Sequence, residues 1–416
     1  MTDKRRGALL GERAEEGNAK WEQCIKREQQ LYSRQKTIRS EFYRDYTRIL
    51  HSTAYRRLKH KTQVFFATEN DHICTRIEHV NHVASVSFTI AKNLGLNTEL
   101  TSAIAIGHDL GHAPFGHQGE AVLKAITKTY LKDEFWHERN SLRFVDVIET
   151  LPDPEGYDKN LSLTYAVRDG IISHCGEIDE NGLKPRDEGI DLTEIKTSNQ
   201  VPPYTWEACV VKVSDKIAYL GRDIEDAKAL GIITLSDAKE FLRKTRLRAL
   251  DRRIRTIQEL NNTVIMNELV CDLIDNTNLS GGVRFSDYYF SLAKEIKDFN
   301  YEKIYNHPRL HFFRKYAELI IQSIFEKLQS YYCGTATKER LERDEPVYPE
   351  LIKYFSSWMV KYSNSFAEER TRLKHKNTAV YDLENEEDYT RAIVDFISGM
   401  TDSFALKCFR ELTTFT

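Results

Sequence analysis

Apolar residues along this chain recur with the period of an α-helix far more often than with that of a strand. Val80, Val83, Ala84, Val86, Ile90 and Leu94 share one face, so Val80–Leu94 is predicted as an amphipathic helix. Asn93-Leu94-Gly95 marks its stop, with Gly in the left-handed cap. Thr98–Leu110 is predicted as the next helix, with Thr98 as N-cap and Leu100, Ile104 and Ala105 on its apolar face. Trp206–Leu230 reads as a long helix through Val210, Val213, Ile217, Leu220, Ile224 and Ala227. Further helical runs are expected from about Glu350 to Arg372 and over Glu387–Leu412. Gln63-Val64-Phe65-Phe66 is the best strand candidate, and breakers place surface connections at Glu177–Pro203 and Gly334–Pro349. No internal repeat or low-complexity tract interrupts this pattern. The expected fold class is all-α.

Composition narrows the class. At 416 residues the chain exceeds the usual single-domain size. With 41% hydrophobic and 30% charged residues it reads as a soluble globular protein. A net charge of −3 gives no general attraction to nucleic acid or anionic membranes, so a polyanion site must be a local basic cluster. The seven cysteines are scattered, odd in number and never in CxxC spacing. That favours reduced thiols and a cytoplasmic location over a disulfide framework or zinc finger. The start, Met1-Thr2-Asp3-Lys4-Arg5-Arg6, lacks the apolar core of a signal peptide, and no run reaches membrane-spanning length.

Candidate chemistry concentrates in Gly107–Glu120, where His108, His112, His117, Asp109 and Glu120 fall within fourteen positions. His offers a borderline nitrogen donor and Asp a hard anionic oxygen, a pairing suited to a divalent metal. The His108-Asp109 pair is expected on the last turn of its helix. A loop made pliable by Gly111, Gly116 and Gly119 and broken at Pro114 would return His112, His117 and Glu120 over the ion. His79 is the leading additional ligand, because it lies near the start of the helix antiparallel to the one ending at His108. Asp215 is the fourth candidate, set mid-helix among apolar residues where an unpaired carboxylate is costly to bury. His82 faces the same side as His79 and is its rival. Taken singly, His79, His137 and His174 are each more often structural hydrogen-bonders than ligands. Two His and two Asp do not choose among manganese, magnesium, iron and zinc. A basic stretch (Arg44, Arg48, Arg56, Arg57, Lys59, Lys61) precedes these residues; a solvated helix face and an anion-facing role are equally open for it.

With these residues in order, the chain resembles the HD-domain superfamily of metal-dependent phosphohydrolases and, more narrowly, the bacterial dGTPase (deoxynucleoside triphosphate triphosphohydrolase) family. The blocks that carry the resemblance are Ser40–Asp45, Ala54–Leu58 leading to Lys61–Phe65, Thr75–His79, His108–Glu120, Asp215–Tyr219, Asp223–Ala227 and Gly399-Met400-Thr401-Asp402. The resemblance implies an all-α HD core with additional C-terminal helices, divided as 1–60, 61–232 and 233–416. It implies metal binding by His79, His108, Asp109 and Asp215, with manganese or magnesium first and iron, zinc, nickel or cobalt as alternatives. It assigns His117, Glu120 and His137 to catalysis, with Glu120 orienting His117. Gln63 and Asp223 match readers of the deoxyribose 3′-hydroxyl, and Tyr219 the ring that leaves no room for a 2′-hydroxyl. Arg76, His112 and Lys216 match phosphate-facing positions.

There are departures from the family pattern. Val80-Asn81-His82 follows His79, Lys216 stands for the more usual Arg, and Glu138-Arg139-Asn140 follows His137. Ser236–Leu351 carries no motif, which leaves base recognition unassigned. The activity implied is hydrolysis of dNTPs, dGTP foremost, to deoxynucleoside and tripolyphosphate. A homo-oligomer, with a hexamer favoured, is implied as well, together with responses to nucleotides or single-stranded DNA. The competing readings are an HD phosphohydrolase of monophosphates or signalling nucleotides, and a non-catalytic nucleotide- or nucleic-acid-responsive module.

Overall fold

The helix that organises the molecule starts where Thr75 and Glu78 cap each other, the Glu78 carboxylate accepting the Thr75 N–H at 2.8 Å. This helix, α2 (Arg76–Leu94), ends at Gly95, whose φ of 83° closes the left-handed cap. The chain turns back through α3 (Thr98–Gly107), whose N-cap is Asn97 rather than Thr98: its side chain accepts the N–H groups of Glu99 and Leu100. The helix stops at Gly107, short of the expected Leu110. Leu100, Ile104 and Ile106 of α3 are buried, each contributing roughly 1.5–3 kcal/mol on transfer from water. The helix is therefore a fixed rod inside the protein, and the core places the turn beyond its end.

This computed structural model describes residues 7–32, 38–66, 70, 72–175, 180–244 and 262–415. Among them the only strands are β1 (Thr150–Pro152) and β2 (Asp158–Asn160), antiparallel with Thr150 opposite Asn160. The fold is all-α, as expected. The other helices that matter here are α1 (Glu41–His51), α4 (Gly116–Tyr130), α5 (His137–Arg143), α6 (Tyr165–Ile172) and α7 (Trp206–Ala229). They are followed by α8 (Asn262–Asn276), α9 (Asp287–Asn300), α10 (Pro308–Gln329), α11 (Leu351–Tyr362), α12 (Glu386–Ser398) and α13 (Asp402–Thr413). Two apolar cores form. One gathers α1, α3, α4, α6 and the C-terminal helices, and the other gathers α8 and α9. Helices α2 and α7 are shared, sending Val83 and Val211 into the first core and Ile90 and Ile217 into the second.

Several local expectations are corrected. Gln63–Phe66 forms no strand; the Gln63 carbonyl goes to the Arg76 side chain instead of a neighbouring strand. Gly334–Pro349 is not a plain connection but contains a helix, Thr337–Asp344. The run from Glu350 to Arg372 breaks at Ser363, and the final run splits at Gly399-Met400-Thr401 into α12 and α13. Between Glu180 and Pro203 the chain is irregular except for one turn at Leu192–Glu194; residues 177–179 lie outside the described residues. The basic N-terminal stretch turns onto protein groups. Arg48 donates to the Leu161 and Asn160 carbonyls, Arg57 pairs with Glu149, and Arg44 pairs with Glu41.

Candidate active site

His108 and Asp109 fall on the turn that leaves α3, and Gly111 lets that turn lie against α5. A Cβ at Gly111 would sit 2.2 Å from the Ser141 nitrogen. The contact is reinforced by Gly111 N–H donating to Ser141 Oγ at 3.0 Å and Asn140 Nδ2 donating to the Gly111 carbonyl at 2.6 Å. Phe115 and Gly116 then take left-handed φ values of 63° and 61°. That reversal starts α4, so His117 and Glu120 stand near the start of a helix rather than on a loop.

Four of the predicted residues converge. His79 Nε2 is 2.9 Å from Asp215 Oδ1, and His108 Nε2 lies 3.9 Å from that oxygen and 3.7 Å from Asp109 Oδ1. His108 Nδ1 donates to the Ala105 carbonyl at 2.6 Å, which leaves the Nε2 lone pair facing the cluster. That Nε2 is buried and without a hydrogen-bond partner among the described residues. A cation is the natural partner for such an atom, and the donors of His79, His108 and Asp215 all lie within 4.8 Å of one another. Asp109 gives its other oxygen to Arg76 Nη1 at 2.6 Å. Burial would raise the Asp109 pKa, but Arg76 and the surrounding histidines hold it well below the usual carboxylate range. Burial would raise the Asp215 pKa too, but the His79 hydrogen bond together with the charges of His79, His108 and His174 holds it at about 2. His79, His108 and Asp215 form one group of donors and Asp109 adjoins it through His108, a set of imidazoles and carboxylates that fits a divalent metal. His82, the rival, belongs to none of the metal-capable groups among the described residues.

A second cluster adjoins the first. The His112 ring stacks on His137 with centroids 4.3 Å apart, and His117 lies 5.3 Å from His112. Glu120 serves His137 more closely than His117. It accepts the His137 backbone N–H at 2.9 Å and approaches Nδ1 at 3.2 Å, while His117 Nδ1 is 3.6 Å away. Glu120 thus lies within ion-pair reach of His117, as expected, and binds His137 as well. Burial lowers the His137 pKa, but Glu138 and Glu120 outweigh it and push the imidazole up to about 10. His112 goes the other way: burial and the Arg76 charge pull it well below the ordinary value. One histidine is therefore held protonated and its stacked neighbour neutral at pH 7.

Beside His117 opens a cavity of about 300 Å³ lined by Gln63, Phe115, Tyr219, Asp223, Tyr301, Tyr305 and Leu310. Gln63 Oε1 is buried there with no partner among the described residues. The Tyr305 hydroxyl donates to Asp223 Oδ2 at 2.5 Å, and burial pushes the Asp223 carboxyl up to about 6. Lys216 is buried on α7. Arg76 is also buried, its Nε on the Thr62 carbonyl at 3.2 Å and its Nη2 on the Gln63 carbonyl at 3.5 Å.

Sequence reasoning gave several of the residues around the site no role, His174 being weighed there only as a structural hydrogen-bonder. His174 packs edge-on against His108 at 4.8 Å, its Nδ1 2.6 Å from the Ile171 carbonyl. It repeats the local arrangement of His108, a histidine just past an apolar helix and bonded three residues back, and that parallel was the available signal. Glu138 lies 3.6 Å from His137 and accepts a hydrogen bond from Ser198 at 2.9 Å. Tyr301, Tyr305 and Leu310 come from the stretch without motifs, so only the fold brings them to the cavity.

A histidine-aspartate cluster with a second histidine-carboxylate cluster beside it is the arrangement expected of an HD-type metal-dependent phosphohydrolase. Residues 76–220 match the HD domain family, and residues 359–411 match the phosphohydrolase-associated domain. A deoxyguanosinetriphosphate triphosphohydrolase-like protein of Caldanaerobacter subterraneus is 34% identical over 90% of this chain and 85% of its own length. Proteins of the same name from Desulfatibacillum aliphaticivorans and Clostridium tetani are 36% and 32% identical, over 70% and 91% of this chain and 73% and 87% of theirs. The chain belongs to the deoxyguanosinetriphosphate triphosphohydrolase-like family of HD-domain phosphohydrolases. Among the described residues no helix is long and apolar enough to cross a membrane.

Proposed function

We propose that the protein hydrolyses deoxynucleoside triphosphates at the α-phosphorus, releasing deoxynucleoside and inorganic tripolyphosphate, with dGTP the foremost substrate. The observation that carries this reading is the row Asp215, Tyr219, Asp223 on α7. Four-residue spacing puts the three on one helix face, leading from the histidine-aspartate cluster into the cavity that Gln63 shares. An orphaned Gln63 oxygen sharing the cavity with a protonatable Asp223 suits a ligand that donates and accepts hydrogen bonds at one hydroxyl, as a 3′-hydroxyl does.

His79, His108, Asp109 and Asp215 would hold the divalent cation, with manganese or magnesium the first candidates. Such an ion offsets charge on a phosphoryl oxygen and lowers the pKa of bound water. The chain's own residues supply the rest. Arg76 keeps Asp109 ionised and, with Lys216 and His112, adds hydrogen-bond donors for the triphosphate. His137, protonated and fixed by Glu120, is the acid suited to the departing O5′ or to a phosphate oxygen. His117, half exposed at the mouth of the cavity, completes the proton-handling set. Tyr219 forms the floor against which a 2′-hydroxyl would press without a partner. Residues 61–232 act as the catalytic core in this reading, with 233–416 closing the cavity through Tyr301 and Tyr305.

The test uses the purified protein with manganese or magnesium against each dNTP, with products identified. Tripolyphosphate supports the proposal; orthophosphate or pyrophosphate points to another HD phosphohydrolase, and no turnover to a non-catalytic module. Sizing of the same preparation, with and without dNTPs and single-stranded DNA, tests the homo-oligomer, a hexamer first, and its response to those ligands.

A further inference from the structure

The C-terminal block Gly399-Met400-Thr401-Asp402 takes no part in the proposed chemistry, yet Asp402 reaches the loops that form the site. It opens α13 and is 3% exposed. Its Oδ1 accepts the Phe115 N–H at 2.8 Å, and its Oδ2 accepts the Thr62 N–H at 2.8 Å and the Thr62 hydroxyl at 2.5 Å. Both partners adjoin candidate site residues. Thr62 immediately precedes Gln63, and Phe115 stands two residues before His117.

These two segments lie in backbone contact, since a Cβ on Gly116 would come 3.1 Å from the Gln63 carbonyl oxygen. Neither is regular structure that could hold itself. Thr62-Gln63 belongs to no strand, and Phe115 keeps a left-handed φ of 63° that a bulky aromatic residue rarely adopts. Arg76 binds the carbonyl oxygens of Thr62 and Gln63, and Asp402 binds the N–H side. Lys61 adds a parallel link, its buried ammonium donating to the His112 carbonyl and to the Ser398 carbonyl at the end of α12.

We infer that Asp402 is a positioning residue of the active site: its carboxylate lets the C-terminal block set the spacing between Gln63 and His117 across the cavity. The roles of those two residues rest on the proposed function. The carboxylate is suited to the task because both oxygens accept and three donors converge on it. An Asn of the same shape must turn an NH₂ toward at least one of those donors, so a bond is replaced by an opposed pair.

The test compares Asp402→Asn with Glu411→Gln. Glu411, at the far end of the same helix, also accepts backbone N–H groups, from Glu350 at 2.8 Å and Leu351 at 2.9 Å. Hydrogen–deuterium exchange, bound metal and steady-state dNTP kinetics are measured for both. Asp402→Asn should keep its metal, exchange faster in peptides covering 61–66 and 113–118, and lose about 10²-fold in kcat/KM, with KM raised as well as kcat lowered. Glu411→Gln should leave those peptides and the kinetics unchanged even if its Tm falls. Unchanged exchange at both peptides in Asp402→Asn, or an equal kinetic loss in Glu411→Gln, overturns the inference. Should Asp402→Asn not fold, Thr62→Val removes only the hydroxyl bond and should show the same pattern at smaller amplitude, roughly 3–10-fold in kcat/KM; an unchanged kcat/KM there overturns it equally. If the wild-type protein hydrolyses no dNTP, the functional reading fails, while the exchange data still decide what Asp402 holds.

Discussion

Replacing Asp223 by Asn should stabilise the protein, and by an amount that depends on pH. Burial raises this carboxyl from 3.8 to about 6, with the Tyr305 hydrogen bond only partly offsetting the cost of desolvation. Linkage sets the sign. Between those two values the unfolded chain has released the proton while the folded chain still holds it, so stability falls as pH rises through the window. Below the unfolded pKa nothing is lost. Above about pH 6 the loss is complete and amounts to roughly 3 kcal/mol. At pH 5 the same expression gives about half of that. Asn cannot ionise, and its carbonyl oxygen can still accept from Tyr305. Urea unfolding of both proteins at pH 5 and pH 8 should therefore show Asp223→Asn more stable at both, with a margin larger at pH 8 by on the order of 1 kcal/mol. The variant should also lose dNTP affinity, which separates stability from function at one atom. A margin independent of pH, or a destabilised variant at pH 8, would refute the reasoning, because the carboxylate would then be ionised and accommodated in the folded state.

The remaining predictions concern the cluster and its support. His108→Ala should abolish stoichiometric manganese binding by calorimetry, since no other described group replaces its buried Nε2, whereas His82→Ala should retain it. His137→Gln should keep metal but lower kcat by about 10² or more. In the wild type, activity that needs the His137 proton should decline only as pH rises toward about 10. Gly111→Ala, which presses a Cβ into the backbone of α5 at 2.2 Å, should lower stability by at least about 1–3 kcal/mol in urea unfolding and disturb His137 with it.

The parts of the fold legible in the sequence were those where one face of a helix meets a core. The pattern of Val80–Leu94 and the long run through Val210, Ile217 and Ile224 correspond to α2 and α7 within a few residues. Boundaries were less legible because caps compete over one or two positions. Asn97 outcompetes Thr98 by accepting two backbone N–H groups at once. The strand expected at Gln63–Phe66 did not form: pairing stops at an isolated Thr62–Thr75 bridge, and the Gln63 carbonyl is taken by the Arg76 side chain, a contact that only the tertiary fold supplies. Residues close in sequence to the His108-Asp109 pair could be grouped by spacing alone. His174 could not, because its approach to His108 depends on how α6 packs against α3.

Selectivity against ribonucleotides should rest on Tyr219, and the geometry of α7 says why. Asp215 is pinned by His79 at 2.9 Å and Asp223 by Tyr305 at 2.5 Å, so both ends of the row are held and Tyr219 between them has little freedom to shift. A nucleotide with one end at the cluster and its sugar hydroxyl near Asp223 must lay its ring across Tyr219. A 2′-hydroxyl there would lose water without gaining a partner, a cost of about 1–3 kcal/mol, or roughly tenfold to a hundredfold, before any steric contribution. Tyr219→Ala should raise GTP turnover relative to dGTP by about that factor, whereas Asp223→Ala should weaken both alike, since both sugars carry the 3′-hydroxyl. The comparison needs only kcat/KM for the two nucleotides on three proteins. Equal use of GTP and dGTP by the wild type would remove the sugar-gate role from Tyr219 and, with it, the reason for reading the cavity as a deoxyribose site.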